Sequence, residues 1–182
     1  MKNKLSNIDW SNHIVAFFSA LLGILIAFQL QDYQDDQKEE EELQITLEAI
    51  KKEIENNQNI YRTNIKTLTD FLDVYEAIDD NKGSFDIDVP AQETGISTSS
   101  WQAGLYSGTL NRLDHSRLSK LTHMYEWIEK DIGLNEVEFL EHVVLEKFGD
   151  LDIIVNYYTK LTKIQQMKLS IVSDYYDQIE WE

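Results

Sequence analysis

The chain has 182 residues, with 33 acidic and 16 basic side chains for a formal charge of −17, no cysteine and a single proline, Pro90. So negative a surface repels phosphate backbones, which argues against a nucleic-acid partner. The missing cysteines exclude disulfides, thiolate metal sites and cysteine nucleophiles. Few glycines and abundant Leu, Ile, Glu, Lys and Gln favour long helices, so the expected fold class is all-α.

Residues 1–13 carry Lys2, Lys4 and Asp9 and form a short N-terminal stretch. From Ile14 to Leu30 the sequence IVAFFSALLGILIAFQL holds no charge, and its polar side chains are Ser19 and Gln29. Seventeen such residues lie at the short end of what crosses a hydrocarbon core, with Trp10, His13 and Tyr33 placed for the interfaces. A helix buried in a soluble core is seldom apolar on every face. A cleaved signal peptide would end in small residues, whereas this run ends Phe28-Gln29-Leu30-Gln31. The reading is therefore an uncleaved single-pass anchor in the lipid bilayer. Lys2 and Lys4 before it, and Asp32, Asp35, Asp36 and Glu39 to Glu42 after it, put the N-terminus in the cytoplasm and residues 31–182 outside. In a cell with an outer membrane the span lies in the inner (cytoplasmic) membrane and the acidic domain is periplasmic. Ser19, Gly23 and Ala27 recur at four-residue spacing on one face, the small-xxx-small pattern that lets membrane helices pack closely.

No Gly or Pro interrupts the chain between Leu30 and Asn81, so the membrane helix is expected to continue into a long soluble one. Leu43, Ile50, Asn57, Asn64, Phe71 and Ile78 repeat every seven residues, as do Leu47, Ile54, Tyr61, Leu68 and Tyr75. This is a coiled-coil-type heptad seam of about five heptads. Ile65 and Leu72 widen it, which suits a seam covered by several helices of a bundle. Asn57 and Asn64 either set register at a cost in stability or face a wetter part of the bundle.

Residues 79–96 collect Asp, Asn, Gly, Ser and Pro90, with Phe85, Ile87 and Val89 alternating, and read as a connector with a short extended piece. Hydroxyls at 97–100 offer caps for a helix from Ser99 that carries Trp101, Leu105 and Leu110, with Gly104 and Gly108 inside it for close packing or a local break. Asp114 caps the next, with Leu118, Leu121, Tyr125, Ile128 and Ile132 on one face up to Gly133. Asn135 to Gly149 reads as another helix, and a last one runs from Leu151 with Ile154, Tyr158, Leu161, Ile171 and Tyr175. The expected architecture is thus an N-terminal transmembrane helix continuing into a long helix, packed with shorter helices as an antiparallel helical bundle.

Chemistry is sparse. The Glu-x-x-His pairs of di-iron bundles are absent, since Arg112, Lys120 and Phe139 stand three before His115, His123 and His142. Glu138, His142 and Glu146 share a face and could hold a divalent ion, though such a stripe is more often solvated. Phosphate loops, nucleophile elbows and dinucleotide fingerprints are missing, so no catalytic residue and no cofactor is assigned.

Two segments resemble a family of uncharacterised, membrane-anchored proteins of Bacteroidetes-type Gram-negative bacteria. One is Leu22-Gly23-Ile24-Leu25-Ile26-Ala27-Phe28-Gln29-Leu30 with the charged stretch after it. The other is Ser99-Ser100-Trp101-Gln102-Ala103 with Gly108, Leu118 and Tyr125. Asp32-Tyr33-Gln34-Asp35 departs from the family's Asn-x-Trp-Asn-like continuation. The resemblance implies an integral protein of the cell envelope and supplies no activity. The expectation is a non-enzymatic interaction or assembly module, self-associated or joined to a protein partner. The alternative is a sensory bundle with Trp101 and Tyr106 lining a ligand pocket; a metal-dependent envelope enzyme ranks below both. The short segment ahead of the anchor favours assembly over signalling.

Overall fold

The computed structural model describes residues 10–76, 90, 92–93, 95–130 and 151–181, with side chains omitted for 10–12, 75–76 and 151–154. It is all-helical, with α1 at Trp10–Glu76, α2 at Ser99–Ser107, a 3-10 turn at Thr109–Arg112, α3 at His115–Glu129 and α4 at Leu151–Gln178. The proposed helix at 135–149, with Glu138, His142 and Glu146, lies outside the described residues. So do Ile78, Ile132 and the alternating Phe85, Ile87 and Val89.

The chain divides into two compact units, Met1–Gln44 and Ile45–Glu182. In the first, every side chain from His13 to Glu42 is exposed, and the helix carrying them is long and apolar enough to cross a membrane. Its charged part is supported by local pairs such as Asp35 with Lys38 at 3.8 Å and the Gln37 amide donating to the Tyr33 hydroxyl at 2.7 Å. Exposed pairs of this spacing each stabilise a helix by about 0.2–0.5 kcal/mol.

The second unit is built on the heptad stripe. Leu47, Ile50, Ile54, Asn57, Tyr61, Asn64, Leu68 and Phe71 are all buried, as is Leu43 just ahead of this unit; the side chain of Tyr75 lies outside the described set. Several elements cover the stripe, so it is no two-stranded zipper. The Tyr158 ring of α4 meets Phe71 edge-on at 4.7 Å, and the Tyr176 hydroxyl donates to Glu55, so α4 runs antiparallel to α1. Against α3, α4 is also antiparallel: Lys120 Nζ donates to the Gln178 carbonyl at 2.8 Å, and Arg117 meets Glu180 at 3.5 Å. α3 begins at Asp114, whose carboxylate accepts from the Arg117 amide at 3.0 Å, the expected cap. Its buried face is Leu121, Met124, Tyr125 and Ile128, with Leu118 half-buried. On α4 the face passes through Tyr158 and Leu161 to Val172, with Ile179 buried just beyond the helix, while Ile171 and Tyr175 stay half-buried.

The second helix is shorter than the sequence suggests. Gly108 is not inside it but ends it, with φ +77 and its amide donating to the Leu105 carbonyl at 3.1 Å. A left-handed residue after the last turn stops a helix and suits glycine. The chain then tightens into the 3-10 turn, which buries Leu110 while Leu105 stays exposed. Gly104 remains interior and permits a close approach: a Cβ there would lie 2.9 Å from Thr46 Cγ2 and 3.0 Å from Leu110 Cδ1 and Cγ. Gly104→Ala is therefore expected to destabilise the helical unit by about 1–3 kcal/mol, the usual cost of overpacking. Urea unfolding would check this, and a neutral or stabilising effect would show that the contact has slack.

Candidate functional site

Helix geometry puts Glu53 on the face of Ile50 and Asn57, three residues after one and four before the other. A carboxylate at that position is carried into the core, and Glu53 is 8 % exposed. A buried charge is costly unless its oxygens are hydrogen-bonded. Here they are: Oε2 accepts from Ser97 Oγ at 2.8 Å, Ser99 Oγ at 3.1 Å and the Ser100 amide at 2.8 Å. Oε1 accepts from the Tyr125 hydroxyl at 2.7 Å and the Trp101 amide at 3.4 Å. The ring of Trp101 stacks on that of Tyr125, with centroids 4.8 Å apart and planes 5° from parallel.

This carboxylate does the capping expected of a local hydroxyl. The N-cap residue of α2, Thr98, makes no side-chain cap bond. The orphan amides of Ser100 and Trp101 instead find their acceptor on α1, where a negative charge also complements the helix dipole. Burial pushes the Glu53 carboxyl up, but the Ser100 amide and the Tyr125, Ser97 and Ser99 hydroxyls outweigh it and hold the group below the ordinary carboxylate range. The Tyr125 hydroxyl moves the other way, raised by burial and then by donating to Glu53.

Two further polar residues extend the row. Asn57 Nδ2 donates to the Ser97 carbonyl at 2.7 Å and its Oδ1 accepts from the Ser97 amide at 2.9 Å. Asn64 treats Glu93 in the same way, at 3.1 and 2.7 Å. Both asparagines are buried, so neither faces a wetter region. Asn64 satisfies Glu93, in the last part of the proposed connector, and Asn57 satisfies Ser97 just after it, so the chain returns antiparallel to α1.

Other expected sites are dispersed. Trp101 is buried under Tyr125 whereas Tyr106 is 89 % exposed, so the two do not line one pocket. His115 is exposed, and His123 pairs with Glu126 at 3.2 Å. Among the described residues no three acids or histidines are grouped to hold a metal ion. Ser19 and Ala27 are exposed, and around Gly23 the space is open to 4 Å.

Comparison with protein-family models, curated proteins and solved structures finds no match in any of the three. Of the residues that carry the resemblance noted in the sequence, Ser99, Ser100, Trp101 and Tyr125 all converge on Glu53.

The sequence does not single out Glu53, because its partners lie more than forty residues away and leave no local period. The available signal was an acid inside an apolar stripe of one helix and a Ser-Thr-Ser-Ser run elsewhere. Because its folded-state pKa is depressed, Glu53 contributes stability that is present above the ordinary carboxylate range and is lost as pH falls through its lowered value. Glu53→Gln should cost about 3 kcal/mol at pH 7, since it places an amide donor among donors and weakens charged hydrogen bonds. It should also flatten the acid limb of stability against pH. Unfolding midpoints from pH 7 to pH 3 would check both, and an unchanged acid limb would remove Glu53 from this role.

Proposed function

We propose that the chain is a non-enzymatic, membrane-anchored interaction or assembly module of the cell envelope. The span at 14–30 holds it in the inner (cytoplasmic) membrane, with the N-terminus cytoplasmic and the helical domain periplasmic, as a homo-oligomer or part of a larger membrane complex. The observation that carries this reading is the first part of α1: among the described residues every side chain from His13 to Glu42 is exposed, and the run from Ile14 to Leu30 is apolar. Lipid covers the apolar residues, and the Ser19, Gly23 and Ala27 face lets a second helix approach. Lys2 and Lys4 on one side, with the acidic run on the other, support the orientation.

Glu53 is built as a structural anion and not as a catalytic acid. A carboxylate has about four acceptor positions, and five donors already occupy this one. Its lowered pKa suits a permanent anion, whereas a general acid needs a raised one.

The absence of native cysteine makes a clean test. In native membranes, a single Ala27→Cys should form an oxidised dimer or a partner adduct, while Leu25→Cys, on the opposite face, should form little. Equal yields at both positions would indicate random collision and contradict packing through the small-residue face; no product from either would contradict association through the span.

A further inference from the structure

We draw no further inference here: the strongest candidate, the exposed apolar surface of Ile45, Leu105 and Tyr106 beside the contact of Gly104 in α2 with Thr46 in α1, carries none because nothing in the structure shows what covers it.

Discussion

A buried carboxylate organises the helical unit. Glu53 leaves α1 with a negative charge that the core tolerates only because five donors from the return segment, α2 and α3 reach it. The requirement works in both directions. The charge needs the donors, and the N-terminus of α2, which lacks a cap of its own, needs the charge. Three parts of the chain far apart in sequence are thereby held in one arrangement, with the Trp101 and Tyr125 rings stacked beside it. Apolar packing along Ile50, Ile54 and Leu68 supplies most of the burial, but it is non-directional. The directional constraint comes from Glu53, Asn57 and Asn64.

What was readable in the sequence follows from where each signal resides. The heptad stripe is a property of one helix, so Leu47, Ile50, Ile54, Tyr61 and Leu68 announce themselves by period alone. Asp114 and its helix are similarly local, because a cap acts within one turn. The two asparagines were visible as exceptions in the stripe, but their partners were not: a carboxamide that binds a backbone 29 or 40 residues on carries no local pattern. Gly108 is ambiguous in the sequence, because glycine inside a helix and glycine ending one look alike until φ is known.

α1 changes its surroundings along its length while its backbone stays helical. Its first part, exposed from His13 to Glu42, is apolar and then acidic; its later part is buried on one face by the rest of the unit. The asparagines of the second part bind the main chain of Glu93 and Ser97, whereas the small residues Ser19, Gly23 and Ala27 of the first part are exposed or open.

The central claim is that Glu53 and its donors act as one coupled unit. A double-mutant cycle on Glu53→Gln and Tyr125→Phe, read by equilibrium unfolding of the protein, tests it most directly. Coupled residues show interaction energies of about 0.5–3 kcal/mol, so the account predicts a value of about 1 kcal/mol or more. Effects that add to within about 0.3 kcal/mol, as independent sites do, would contradict it.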